Sequence, residues 1–184
     1  MTVVIFLGLL AAGLAGLVFV ILYNGLVTLR NDCDRAWSNI DVLLKQRYEE
    51  IPRLVEVCKG YMAHEKDTLT LVTRARTAGL RAEGPAQTSH VEDLAVTGLR
   101  NLFAVAEGYP DLKANENFLL LQKRISGLES EIADRREFFN NTVNNFNTRI
   151  EQVPDVFVAR MLGYGRKSLF RVPASQRKSQ RIAA

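Results

Sequence analysis

The chain opens on an uninterrupted apolar stretch. From Val3 to Leu22, twenty consecutive positions carry no charge, and a helix that rises about 1.5 Å per residue spans a hydrocarbon core of about 30 Å over that length. No Lys or Arg precedes the stretch, and Tyr23 and Asn24 follow it in place of a small-residue cleavage site. Cys33 lies too far on to be a lipoprotein cysteine. The pattern predicts an uncleaved transmembrane anchor over residues 1–22 rather than a signal peptide.

Beyond the anchor, the pattern becomes periodic. Apolar residues recur every three or four positions from Leu26 to Met62, which is typical of one long amphipathic helix that continues out of the membrane. Pro52 falls inside this helix, and a proline deletes one backbone hydrogen bond, so we expect a bend there without an end. The period is lost from Thr77 to His90, where two glycines and a proline occur, and this segment is predicted to be a loop.

Three further helices are predicted after that loop. Ser89-x-x-Glu92 matches a capping box and predicts the start of a shorter helix that ends near Glu107. The strongest period runs from Asp111, the expected cap, to Gln152. Pro154 suits the start of a last short helix, from 155 to 162, closed by a glycine.

No segment alternates between apolar and polar residues as a half-buried strand does. The predicted fold class is therefore all-α, with an N-terminal transmembrane helix that continues into an antiparallel bundle dominated by two long helices. The predicted domains are the anchor at 1–22, the bundle at 23–164 and a tail at 165–184.

Charge distinguishes the tail from the rest of the chain. The net charge is +4, but residues 165–184 carry six cations and no acidic residue, so the remainder has a net charge of −2. The bundle therefore offers no overall basic surface for nucleic acid. So little apolar content predicts a disordered tail. We expect it to contact anionic lipid through its cations, with Leu169 and Phe170 adding apolar insertion; a solvated tail that binds nothing is the alternative. The cations are Arg166, Lys167, Arg171, Arg177, Lys178 and Arg181.

Candidate chemistry is sparse. His64-Glu65 begins a zinc-protease motif but Thr68 stands where the second histidine is needed, and His90 is distant in sequence. Cys33 and Cys58 lie on apolar stripes and are best interpreted as small buried side chains. The sequence predicts no catalytic residue, no metal or other cofactor, no small-molecule substrate and no enzymatic activity.

Two sets of residues instead indicate association with other helices. Gly8, Ala12 and Gly16 stand four apart on one face of the anchor, a spacing that lets transmembrane helices approach closely, although such residues are common in these helices anyway. Asn140 and Asn147 adjoin the apolar stripe of the long helix, and we expect their amides to pair with another helix and fix its register. Asn141 and Asn145 fit a solvated face.

The chain resembles the LemA family. The resemblance rests on Tyr23-Asn24 and Leu29-Arg30-Asn31 after the anchor, on AWSNIDVLLKQR at 36–47, IPxLVE at 51–56 and YPDLKANENF at 109–118, and on Phe-Asn pairs at 139–140 and 146–147. It spans about residues 1–165. Phe139 and Phe146 depart from the pattern, in which tyrosine is usual, so a hydrogen-bonded role is not expected at either position.

This resemblance implies a helical bundle with a short external N-terminus and no established catalytic residue. Relatives are linked to magnetosome formation and are often encoded near membrane proteases, and some carry a lipoprotein signal, which would place the domain outside. A pocket around Tyr109, Lys113 and Arg136 is possible, but turn chemistry explains those residues better.

The leading hypothesis from the sequence is a scaffolding protein that assembles with itself at the bacterial cell membrane. The alternative is an adaptor that presents partners to a membrane protease or transporter. Lys and Arg are commoner on cytoplasmic flanks, and Arg30 and Arg35 follow the anchor, partly offset by Asp32 and Asp34. We therefore expect a single-pass inner-membrane protein with its N-terminus outside and its domain in the cytoplasm.

Overall fold

The computed structural model describes residues 1–171, and within this range the protein contains helices and no strand. The all-α prediction is confirmed. The helices are α1 (Thr2–Lys59), α2 (Lys66–Arg81), α3 (Gly84–Ala106), α4 (Pro110–Lys113), α5 (Glu116–Arg149) and α6 (Asp155–Met161).

α1 has two parts with different surroundings. Residues 2–21 are exposed along every side, and α1 is the one helix of the described chain that is long and apolar enough to cross a membrane. From Leu26, which is fully buried, the same helix presents its apolar stripe to the bundle core. The helix continues through Pro52 to Lys59. The prediction of one helix from the apolar stretch into the bundle is therefore confirmed, and its C-terminus comes at Lys59 rather than at Met62.

α5 packs along α1 in the opposite direction. Near the start of the bundle, the ring centroids of Trp37 and Phe139 lie 5.6 Å apart. Farther along α1, Glu50 Oε1 lies 3.1 Å from Nε of Arg124, which is earlier in α5. The two apolar stripes face each other over this length, because burying one face of each helix removes both stripes from water.

α2 and α3 cover the half of α1 that is distant from the apolar stretch. Arg76 Nε of α2 donates to the backbone oxygen of Tyr48 at 2.9 Å. α3 packs on α2 closely at Gly98, where an added Cβ would meet a methyl of Val72 at 3.4 Å. Together with α1 and α5, these helices form an antiparallel bundle in which α1 and α5 are the longest elements.

The predicted loop from Thr77 to His90 is wrong. α2 continues to Arg81, and α3 begins at Gly84, so only two residues connect them. Gly84 has φ +72°, a conformation that favours glycine, and Pro85 occupies the first turn of α3, where a missing amide costs little.

The capping box at Ser89 and the cap at Asp111 are also wrong. Ser89 lies inside α3 and donates through Oγ to the backbone oxygen of Pro85 at 2.7 Å. Asn115 caps α5, and its Oδ1 accepts from the Phe118 amide at 3.0 Å. Asp111 instead lies in the separate short helix α4. The predicted last helix is confirmed, and Gly163, with φ +65°, follows it.

Candidate functional site

The predicted association face of the N-terminal stretch is unpartnered within the chain. Gly8, Ala12 and Gly16 are exposed, and a Cβ added at either glycine would have no atom within 4 Å. The three positions share one side of α1 because residues four apart lie nearly one turn apart. Their role in self-association remains a prediction.

Asn140 and Asn147 bind the C-terminal segment of their own chain. The Asn147 side chain donates from Nδ2 to the backbone oxygen of Lys167 at 2.9 Å, and its Oδ1 accepts from the backbone amide of Lys167 at 2.8 Å. Asn140 makes the same pair of bonds to Phe170, both at 2.9 Å. Each amide therefore supplies one donor and one acceptor to an extended backbone, as a neighbouring strand would. The expectation that these amides pair with another helix is corrected, because the extended segment already occupies them.

The C-terminal strap, residues 164–171, is attached to the core through Phe170 and Tyr164. Phe170 is fully buried, and its ring lies edge-on to Trp37 with the centroids 5.5 Å apart. The Arg171 amide donates to Ser89 Oγ at 3.0 Å, which ties the strap to α3. A disordered tail that begins at residue 165 is therefore wrong for residues 165–171, and insertion of Phe170 into lipid is wrong as well. The strap is polar, but the burial of one aromatic side chain and four hydrogen bonds between side-chain amides and its backbone stabilise it against the loss of conformational entropy.

The strap cations are placed as follows. Arg166 pairs with Glu151 at 3.0 Å, Lys167 pairs with Asp34, and Arg171 is exposed. The remaining predicted lipid contacts, Arg177, Lys178 and Arg181, lie outside the described residues. Lipid contact by these six cations stays a prediction.

Between α1 and α3 lies a buried ion pair that the sequence interpretation missed. Arg47, which is fully buried, donates from Nη1 and Nη2 to the two carboxylate oxygens of Glu92 at 2.8 and 2.6 Å. Glu92 is 1% exposed. Such a two-pronged pair is strong and directional, and it fixes the rotation of α3 against α1. The available signal for a buried charge was position, because Arg47 immediately precedes Tyr48, which lies on the apolar stripe of α1.

Two further charged residues adjoin this pair. Glu129 Oε1 of α5 lies 3.9 Å from Arg47 Nη1, and burial raises the pKa of the Glu129 carboxyl, against the effect of Arg47. Burial lowers the pKa of the Arg136 guanidinium, an effect that the Glu92 carboxylate opposes. For Arg47 itself, burial also acts to lower the pKa, but the Glu92 carboxylate and its hydrogen bonds outweigh it, so the pKa lies above the ordinary value.

The residues of the possible pocket, Tyr109, Lys113 and Arg136, have partners in different parts of the bundle. The Tyr109 hydroxyl donates to Glu65 Oε1 at 3.2 Å, and Lys113 pairs with Glu107. Arg136 lies in α5 near Glu92 instead, so the structure does not assemble the possible pocket around Tyr109, Lys113 and Arg136. Within residues 1–171, no group of three His, Cys, Asp or Glu residues could hold a metal ion. Cys33 and Cys58 are free and buried, as expected, and burial raises the pKa of the Cys58 thiol to about 11.

The asparagine clamp gives a first testable prediction. Replacing Asn147 with Asp exchanges the donor to the Lys167 carbonyl for a second acceptor. The free energy that holds the strap in place should therefore fall by about 1–2 kcal/mol, and the strap should detach more often. We expect trypsin to cleave after Lys167 faster in this variant. Asn145→Asp, at an exposed position in the same helix, is the matched control. Equal cleavage rates in the two variants would contradict the clamp.

Comparison with known proteins matches this chain to a family model described as "LemA family" over residues 36–183. Two similar proteins are Magnetosome protein MamQ 2 from Paramagnetospirillum magneticum, 25% identical, and Magnetosome protein MamQ from Magnetospirillum gryphiswaldense, 23% identical. Both alignments cover 80% of this chain, which spans 64% of the length of those relatives.

Another similar protein is Protein LemA from Metamycoplasma hominis, 28% identical over 92% of this chain and 78% of that protein. The exposed apolar helix and these relatives together are compatible with association with a membrane, while the molecular function stays uncertain.

Proposed function

This chain belongs to the LemA family, and we propose that it is a membrane-anchored scaffolding protein that associates with copies of itself at the bacterial cell membrane. One observation carries the proposal. α1 runs without interruption from the exposed apolar stretch into the buried core at Leu26. A rigid connection of this kind means that pairing of two anchors places two bundles side by side with a defined rotation.

We propose further that the protein is not an enzyme. The buried carboxylates are paired with arginines of the bundle: Glu92 with the buried Arg47, and Glu50 and Asp155 with the more exposed Arg124 and Arg149. Catalytic groups instead converge on an accessible space where a substrate can lie. The arrangement is the one expected for a bundle whose helices need a fixed mutual rotation.

The proposed orientation is a single pass through the inner membrane, with the N-terminus outside and the bundle in the cytoplasm. Arg30 and Arg35 on the bundle side support it, because cytoplasmic flanks carry an excess of such residues. Asp32 lies 3.9 Å from Arg35 and offsets one of these charges. Lipid is then a partner along the whole exposed part of α1.

The anchor face gives the second prediction. Replacing Gly8, Ala12 and Gly16 together with Leu should reduce crosslinking between chains in membranes, since the larger side chains separate the helix backbones. Insertion should be unchanged because leucine is equally apolar. Gly13→Leu, about 100° around the helix from the centre of this face, is the control and should crosslink like the unmodified chain.

Crosslinking of native membranes with a lysine-reactive reagent, followed by denaturing gel electrophoresis, makes the measurement. A triple variant that crosslinks as well as the control would remove this face from the proposal. Alkaline extraction of the same membranes checks that every variant remains inserted.

A groove between α1 and α2 favours the adaptor as the second candidate function. It has a volume of about 510 Å³, and Val55, Met62 and Leu69 give it an apolar floor. Lys59, Lys66 and Arg74 are among the residues that line it. An amphipathic helix with acidic flanks would fit such a groove. An adaptor of this kind needs no extended self-association, so we expect a monomer or small oligomer if the protein is an adaptor and a larger assembly if it is a scaffold.

A further inference from the structure

The last helix, α6, presents an apolar surface outwards. Val158 and Ala159 pack into the core, whereas Phe157 and Met161 on the other side of the helix are 62% and 75% exposed. Val153, in the turn just before α6, is 75% exposed as well. Phe157 and Met161 are four residues apart in α6 and therefore lie on one face of the helix. Two large exposed apolar side chains on one face of a short helix are unusual for a surface that faces water only, and exposed apolar patches often mark binding surfaces.

The packing of α5 on α1 decides where this face lies. Cys33 Sγ lies 3.6 Å from the Thr142 backbone oxygen, and Trp37 faces Phe139, so moving back along α1 corresponds to moving forward along α5. If the same register continues to the end of α5, Arg149 lies about level with Leu26 of α1. A turn of five residues, 150–154, connects α5 to α6, and α6 packs against α1.

The chain after α6 confirms this placement. The guanidinium of Arg30 lies over the Tyr164 ring, 5.2 Å from its centroid. From there the strap runs along α1 away from the apolar stretch, with Lys167 beside Asn147 and Phe170 against Trp37. The chain thus approaches the anchor along α5, turns over α6 and leaves again, which puts α6 at the end of the bundle where the exposed apolar part of α1 stops.

Aromatic and charged groups at this end are those expected at a bilayer surface. Tyr23, 40% exposed, stands at the end of the apolar stretch, and tyrosines are enriched at the level of lipid headgroups. Arg30 and Arg160 are exposed nearby, while Arg149 pairs with Asp155 at 2.7 Å. Arginines beside an apolar face allow the face to enter the bilayer while the charges remain among the headgroups.

We propose that α6 lies in the surface of the bilayer beside the anchor, with Phe157 and Met161 inserted at the boundary between headgroups and acyl chains. This second lipid contact rests on the proposed membrane anchor and extends it. It holds the bundle at a fixed tilt on the membrane, because two contacts define an orientation that a single helix leaves free. A lipid surface fits better than a second copy of the chain because the face adjoins the place where α1 leaves the bilayer.

The test measures how close residue 157 comes to lipid in the full-length protein. Phe157→Cys is labelled with an environment-sensitive fluorophore and reconstituted into vesicles containing lipids with nitroxides at the headgroup or within the acyl chain. Cys33 and Cys58 are buried, and unmodified chain taken through the same labelling corrects for them. Leu120→Cys, 64% exposed but at the far end of the bundle, is the matched control. Leu10→Cys reports on the anchor.

We expect a loss of fluorescence at position 157 with headgroup and shallow acyl nitroxides, a loss at position 10 with deep nitroxides, and none at position 120. Quenching at position 10 without quenching at position 157 would overturn the α6 proposal and leave the anchor intact. A blue-shifted but unquenched probe at 157 would also overturn it, in favour of a second copy covering the face. Absence of quenching at position 10 would overturn both the anchor and the α6 contact.

Discussion

Replacing Arg47 with Met should destabilise the bundle by about 3–5 kcal/mol, the largest effect that we expect from a single change. Methionine fills much of the volume, but the Glu92 carboxylate loses both of its hydrogen bonds to the guanidinium while it stays 1% exposed. An unpaired charge in such a place is strongly unfavourable. The effect is measured by urea unfolding of a fragment of residues 23–184, which contains every buried residue of the described core.

Two controls separate charge pairing from other effects. Lys45→Met removes the exposed pair with Asp41, and we expect a change of about 0.5 kcal/mol or less. Combining Arg47→Met with Glu92→Leu should recover most of the loss, because an apolar replacement of a whole buried pair is often neutral or stabilising. If Arg47→Met alone costs no more than Lys45→Met, the buried pair does not stabilise the bundle.

Replacing Gly79 with Ala should destabilise the same fragment by about 1–3 kcal/mol. A Cβ at this position would lie 2.2 Å from Tyr48 Cζ and 2.4 Å from its oxygen. Tyr48 is 2% exposed, so its ring has little room to move. Alanine is intrinsically the better helix former by about 1 kcal/mol, and a net loss of stability would therefore identify the close approach of α2 to α1 as the cause.

Gly127→Ala is the matched control for this change. Gly127 lies within α5, is exposed, and an added Cβ would have no atom within 4 Å. We expect a gain of stability of up to about 1 kcal/mol. Gly79→Ala that stabilises as much as Gly127→Ala would contradict the close contact with Tyr48.

Most helices could be predicted from the sequence because their apolar stripes are long and regular. α1 and α5 each repeat an apolar residue every three or four positions over many turns, interrupted in α5 only between Ile132 and Phe139, where Arg136 is buried. Burying one such face against another determines the structure. The error between residues 77 and 90 arose from interpreting Gly79, Gly84 and Pro85 together as signals of one loop, whereas only the last two mark the short connection and Gly79 lies within α2. The Tyr48 ring requires a glycine there, so the residue that weakens the helix locally is the one that permits it to pack.

The site was harder to predict because it depends on contacts between distant parts of the chain. Asn140 and Asn147 stood out by composition and position, but no local pattern indicates that Phe170 and Lys167 are their partners. The tail looked too polar to fold, and residues 164–171 have no core of their own. They instead add an aromatic side chain to the groove that α1 and α5 already form.

The buried Arg47 is the third feature that could not be predicted from the sequence. Arginine is seldom fully buried unless it is paired, and the partner of Arg47 lies 45 positions away in α3. Glu92 had a plausible local role in a capping box, which concealed its role in the core. Periodicity can place a charged residue on a buried face, but it cannot identify the residue that neutralises it.

The mass of the full-length protein in mild detergent tests the proposed scaffold most directly. Light scattering during size-exclusion chromatography, corrected for bound detergent, gives the protein mass of each peak, and the fragment of residues 23–184 is measured beside it. One chain has a mass of 20.6 kDa. We expect the full-length protein to form a discrete assembly of several chains and the fragment to form a smaller species. A full-length protein that remains a monomer across a wide range of concentrations would contradict self-assembly and favour the adaptor.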